Sequence, residues 1–260
     1  MTERGGDSAG TSVAVPDGSG IRLSWAAVTD VGRKRKANED SYLARVPIFA
    51  VADGMGGHLS GDLASAAVVR RLDEGITTDF VAPQLVERSL EVASSDIDVI
   101  AGDSELGVGT TVTGAVLTLI DGIPNFAVFN IGDSRVYRFE KNSLKQVTRD
   151  HSLVQEMVDA GTISKSQALK HPDGNIITRA VGFRSQPTPD YWMIPLKPGL
   201  RLLMCSDGLT GELDDKRIRL HLASGLSTRE TASSLVDAAL ASGGRDNVTV
   251  IVVDVLAPTP

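Results

Sequence analysis

The chain has 260 residues, 42% of them apolar and 23% charged, which excludes a disordered or collagen-like polymer and leaves room for an ample core. Its 33 acids outnumber 26 bases, a net charge of −7, and that balance argues against a nucleic-acid or anionic-membrane partner. Cys205 is the single cysteine, "MTERGGDSAG" at the start lacks a signal-peptide core, and no run reaches the ~18 to 20 apolar residues of a membrane span, so a cytoplasmic protein without disulfides or membrane insertion is expected.

Residues 1–20 are rich in Gly, Ser, Thr and Asp without periodicity and read as a flexible tail; 258–260 read as a short one. No linker interrupts 21–257, which is taken as one domain. At 30–40, "DVGRKRKANED" sets Arg33, Lys34, Arg35 and Lys36 just ahead of Asn38, Glu39 and Asp40. Alone, such a run reads as a solvated basic loop. Next to acids it suits an anion site beside a cation site, and an Arg fork at Arg35 matches phosphate oxygens.

A strand is predicted over about 41–52, then helices over 60–73 and 81–100, then strands over 110–120, 123–131 and 134–140. A helix over 151–160, strands over 188–194 and 200–205, a helix over 227–241 and a strand over 247–255 complete the series. The 227–241 helix is the best marked: Ala232, Leu235, Val236, Ala239 and Leu240 form a stripe, Ser227 and Glu230 fit a capping box, and Gly243 closes it. Consecutive strands with tight connections between 110 and 140 predict antiparallel sheet, hence an α+β fold with helices covering the sheet.

Four apolar runs abut an Asp beside Gly, Ser or Asn: "FAVADGMGG" at Asp53, "FAVFNIGDSR" at Asp133, "LLMCSDGLTG" at Asp207 and "GGRDNVTVIVV" at Asp246. Asp121 in "LTLIDGIPNF" looks similar but joins two adjacent strands, and is read as a plain hairpin turn. Acids sharing one cleft cannot all stay ionised without a cation, so convergence of the four implies metal. With oxygen ligands and no His or Cys at zinc spacing, Mg²⁺ or Mn²⁺ is expected before Zn²⁺, and Gly54 lets its own carbonyl approach.

In order, "GRKRKANED", "VADGMGGHLSGDLAS", "GTT", "NIGDSRVYR", "DHSLVQEMVDAG", "HPDGNIITRAVG", "LLMCSDGLTGEL" and "RDNVTVIVV" run from Gly32 to Val253, within a similarity that covers roughly residues 24–256. This set resembles the metal-dependent Ser/Thr protein phosphatases of type 2C, in their compact bacterial branch. The resemblance implies a four-layer αββα fold, a central sandwich of two antiparallel β-sheets flanked by α-helices, with a variable flap near 150–180. It implies two Mn²⁺ or Mg²⁺ ions bridged by Asp53, the Gly54 carbonyl on the second, Asp207 and Asp246 on the first, and Glu39 in or just outside the shell of the second ion. Arg35 matches the phosphate-binding Arg, and Asp133 a ligand of a weak third ion.

The implied activity is hydrolysis of phosphoserine and phosphothreonine in proteins by attack of a metal-bridging hydroxide. Implied partners are phosphoproteins and a cognate Ser/Thr protein kinase, and a monomer is expected. A catalytically silent binding protein is the alternative from another class, and a phosphatase dedicated to an anti-sigma-factor antagonist is the alternative target. His58 is assigned either to protonation of the leaving oxygen or to shaping the metal loop. Gly211 stands where many relatives have an acid near the third ion, with Glu212 next, and Asp62 where many have Glu. Cys205 reads as a core thiol, and His151, His171 and His221 as surface or flap residues.

Overall fold

The computed structural model describes residues 1–56, 60–102, 107–168, 171–183 and 186–257. In chain order come β1 (Glu3–Gly5), β2 (Ser8–Ala14), β3 (Gly20–Asp30), β4 (Asp40–Arg45), β5 (Ile48–Gly56), α1 (Gly61–Glu74) and α2 (Pro83–Ala101). β6 (Val108–Thr110), β7 (Val112–Ile120), β8 (Ile123–Ile131), β9 (Arg135–Glu140) and β10 (Ser143–Gln146) lead to α3 (Leu153–Asp159) and α4 (Lys165–Ala168). β11 (Val181–Gly182), β12 (Asp190–Pro195), β13 (Arg201–Cys205), α5 (Asp207–Thr210), α6 (Asp215–Leu222), α7 (Thr228–Ser242) and β14 (Val248–Leu256) follow.

One sheet runs β1-β4-β5-β7-β8-β12, with β6 joining β5 to β11, and the other runs β10-β9-β13-β14-β3-β2. All pairings are antiparallel except β1 with β4. Strand alternation divides the core into three layers. On β5, Ile48, Ala50 and Ala52 face α1 and α2, where Val68, Leu72, Leu90 and Ile97 are buried. Phe49 and Val51 point the other way, between the sheets, against Trp25, Met204 and Ile251. On β14, Val250 and Val252 turn out to Leu235, Val236 and Ala239 of α7. Strands buried on both faces read as unbroken apolar runs, which is why these were visible in the sequence.

The result is the αββα sandwich, and several local expectations change. The predicted 41–52 strand is two strands, β4 and β5, joined at Val46–Pro47. Residues 3–14, expected to lie in a flexible tail, form β1 and β2 instead. They are held by backbone pairing to β4 and β3 and by the Trp25 indole, whose Nε1 donates to Gly6 O at 2.6 Å. Edge pairing of this kind needs no apolar pattern. Asp121 and Gly122, with φ of 52° and 78°, close the β7–β8 hairpin as a two-residue turn. No described helix is long and apolar enough to cross a membrane.

Candidate functional site

Asp53 sits near the end of β5, opposite Asp40 of β4. Asp207 opens α5 directly after β13, and Asp246 lies two residues before β14, the strand paired with β13. The loops carrying these acids touch. A methyl group at Gly208 would stand 1.9 Å from Asn247 O, and one at Gly54 would stand 2.1 Å from Gly61 O and 2.7 Å from Glu39 O. Only glycine permits approaches this close. Asp207 and Asp246 are thereby brought to one rim, and Asp53, Glu39 and Asp62 to the same rim from the other sheet.

Hydrogen bonds between distant segments hold that rim. Asn247 accepts from Glu39 N–H at 2.8 Å and donates to Val31 O and Ala37 O, both at 2.9 Å. It thus fixes the basic loop against the Asp246 turn. Asp40 Oδ2 accepts from Thr249 Oγ1 at 2.6 Å and Ser206 Oγ at 2.9 Å, which ties the two sheets together beneath the acids. The "GTT" segment orients Asp53: Thr111 N–H and Thr110 Oγ1 donate to Asp53 O at 2.9 and 2.8 Å. Thr111 Oγ1 also pairs with Ser134 Oγ at 2.8 Å, beside Asp133.

The electrostatics follow from this crowding. Burial pushes the Asp53 carboxyl well above the usual range, and Asp40, Asp207, Asp133 and Asp246 push it further. Burial raises Asp207, with Asp246 adding, while a hydrogen bond from the Asp53 carboxyl offsets part of it. Asp133 rises to about 7, first by burial and then through Asp207 and Asp150. Asp40 also rises to about 7, mainly by burial. Glu39 is raised by burial and by Asp62. Against this stands Arg35, whose Nη2 donates to Asp246 Oδ2 at 2.6 Å.

Asp53, Asp207, Asp246, Asp133, Glu39 and Arg35 are therefore gathered by the fold, with the Gly54 backbone among them. His58 lies outside the described residues. Glu212 is engaged by Arg245: it accepts from Arg245 N–H at 3.0 Å and Nε at 2.8 Å, while Arg245 Nη2 donates to Gly211 O at 2.7 Å. This clamp ties the Asp207 turn to the Asp246 turn. His151 is not a surface residue, being 2% exposed. Its Nδ1 accepts from Gly132 N–H at 3.1 Å and its Nε2 meets Asp190 Oδ2 at 3.1 Å, so the neutral ring carries its proton on Nε2. Burial lowers its pKa. In this way it braces the turn before Asp133, a role that no local pattern announces.

The chemistry of this donor set suits divalent oxygen-seeking ions. Asp40 Oδ1 and Asp62 Oδ1 are buried without a hydrogen-bond partner, and several carboxylates crowd one cleft with only oxygen donors among them. Among the described residues no three His, Cys, Asp or Glu side chains form a ready-made ion-binding group. Asp246 is bonded to Arg35, as expected where crowded acids relieve their repulsion through a guanidinium.

Comparison with known proteins gives a consistent picture. Residues 33–243 match the family described as protein phosphatase 2C. The chain is 37% identical over 239 residues to the serine/threonine phosphatase stp of Listeria welshimeri, covering 87% of this chain and 93% of that one. The crystal structure of the serine/threonine phosphatase PstP of Mycobacterium tuberculosis matches with a TM-score of 0.82 at 34% identity, over 91% of this chain and 100% of that one. The catalytic domain of PstP in complex with two manganese ions matches with a TM-score of 0.76 at 33% identity, over 91% and 99% of the two chains.

Proposed function

Because this chain belongs to the protein phosphatase 2C family, we propose that it hydrolyses phosphoserine and phosphothreonine in proteins at the acid cleft, with Mn²⁺ or Mg²⁺ as cofactor. Asp53, Asp207, Asp246 and the Gly54 carbonyl would hold two ions, with Glu39 at the edge of the second and Asp133 at a weaker third. Bound there, divalent ions offset the charge of acids and phosphate and supply a water acidic enough to act as nucleophile near neutral pH.

The chain's own residues do the rest. Arg35 offers its guanidinium to the phosphoryl oxygens and positions the ester over the cleft. Asp40 stays beneath, bonded to Ser206 and Thr249, and keeps the two sheet ends in register. Asn247 fixes the Glu39 backbone relative to Asp246. Partners are phosphorylated proteins and a Ser/Thr kinase whose products the enzyme would reverse.

The carrying observation is the state of Asp53: desolvated and faced by four further acids, it is stable as a carboxylate only with cations beside it. The test is phosphate release from a Thr-phosphorylated peptide with Mn²⁺, without it, and with EDTA. Release that requires Mn²⁺ and stops with EDTA supports the proposal. Release undiminished by EDTA rejects the metal, and no release under any condition rejects the activity.

A further inference from the structure

The segment returning from the flap to the first sheet ends in a backbone outlier. Phe183 has φ of 54°, a left-handed conformation that is costly for a bulky side chain and that collects at functional sites. Burial does not offset that cost, because Phe183 is 45% exposed. Its ring rests on β6: a methyl group at Gly107 would meet Cδ1 at 2.5 Å and one at Gly109 would meet Cε2 at 2.4 Å. Both glycines are needed for the ring to lie broadside on the strand, which leaves its other face available.

Beside the ring opens a cavity of about 570 Å³, lined also by Ile177, Thr178, Arg179, Ala180, Gln186 and Asp190, among others. Its charges are already matched. Arg179 Nη1 donates to Asp190 Oδ1 at 2.8 Å and Thr188 O at 3.1 Å, and His151 Nε2 meets Asp190 Oδ2 at 3.1 Å. A charged visitor would have to disrupt these bonds, whereas an apolar one gains contact with Phe183, Ile177 and Ala180.

Sheet register sets the distance from the acid cleft. Gly54 pairs with Thr110, and Thr110 with Val181, so Phe183 lies two strands across and two residues along from Gly54. At ~4.8 Å per strand and ~3.4 Å per residue this is roughly 12 Å, the reach of three to four residues of extended peptide.

We infer that this cavity is a substrate subsite: it receives an apolar, preferentially aromatic, side chain of the phosphoprotein, three to four residues from the phosphorylated Ser or Thr, with Phe183 as the platform. The inference rests on the phosphatase reading above and deepens it by naming a feature of the substrate.

The experiment compares kcat/KM for Thr-phosphopeptides carrying Phe, Leu, Ala, Glu or Lys at each position from four before to four after the phosphothreonine. Para-nitrophenyl phosphate, too small to reach the cavity, gauges the acid cleft separately. The wild type is expected to favour Phe or Leu over Ala about tenfold at one position three or four residues away. Phe183→Asn, which tolerates a left-handed backbone, should lose that preference relative to its aryl-phosphate turnover, and Phe183→Tyr should keep it. A flat profile, a preference for Glu or Lys at that position, or an apolar preference that survives in Phe183→Asn overturns the subsite and leaves the phosphatase reading standing. Wild-type failure on para-nitrophenyl phosphate and on every peptide strikes that reading itself.

Discussion

Arg35 donates from Nη2 to Asp246 Oδ2 at 2.6 Å, so the guanidinium proposed for phosphate is bonded to a carboxylate proposed for metal. The pairing raises the already high Arg35 pKa, and the side chain is still 57% exposed. Such a contact is easily exchanged, because a phosphate monoester offers the same fork of oxygens at higher charge. Arg35→Ala is expected to raise KM for para-nitrophenyl phosphate about tenfold with a smaller change in kcat, measured at saturating Mn²⁺. Arg35→Lys should recover only part of the loss, since a point charge does not reproduce the fork. An unchanged KM in Arg35→Ala removes the residue from this role.

Asp53 and Asp207, although they come from different sheets, are in electrostatic contact, each acting on the ionisation of the other. If that contact marks where cations bind, neutralising either acid removes a ligand rather than a mere surface charge. Asp53→Asn and Asp207→Asn are each expected to lower Mn²⁺-dependent aryl-phosphate turnover by two orders of magnitude or more, with the far-ultraviolet circular dichroism spectrum retained. Substantial residual turnover in both variants contradicts the assignment.

The Glu212–Arg245 clamp offers a test away from the metal ligands. Glu212 is 5% exposed on its side chain and accepts both the backbone and side-chain N–H groups of Arg245, one residue before Asp246. Outer partners that orient ligands affect ion affinity about 10- to 100-fold. Glu212→Ala is therefore expected to raise the Mn²⁺ concentration giving half-maximal activity by about tenfold, with maximal activity restored at high Mn²⁺. An unshifted Mn²⁺ titration would show that the two turns hold their positions without the clamp.

Legibility in the sequence tracked the range of the interactions. Asp53, Asp207 and Asp246 stood out because each interrupts or adjoins an apolar run at a point where a buried strand meets a loop. Asp121 was separable from them because a two-residue Asp-Gly turn is complete within itself. By contrast β3 escaped notice, although it pairs with β14 along its length: Ser24, Ala26, Ala27 and Thr29 give it little apolar signal, and its burial comes from partners far along the chain. α6 was hidden by its charge, burying only Ile218 and Leu222. His151 and Asn247 act on backbone groups 19 and 208 residues away. Such roles depend on convergence in space, and nothing in the neighbouring residues encodes them.

A last prediction concerns pH and a region remote from the cleft. Asp96 of α2 accepts from Arg71 Nε at 2.6 Å and Nη2 at 2.9 Å, and from Arg70 Nη2 at 2.8 Å, joining the two helices that cover the first sheet. The Arg71 hydrogen bond is the main cause that holds its carboxyl below the ordinary value, against a smaller opposing effect of burial. A carboxyl with a depressed folded pKa binds protons more readily once unfolded, so its contribution is complete above the unfolded value of ~3.9 and fades as pH falls through the folded one. Asp96→Asn is expected to lower Tm by about 2–4 °C at pH 7, and the gap to the wild type should close progressively below about pH 4. Thermal unfolding of both proteins across pH 3–7 reads this directly. A gap that persists undiminished at the acid end would mean that Asp96 contributes through packing or neutral hydrogen bonds, and that the charge on its carboxylate adds nothing to the joint between α1 and α2.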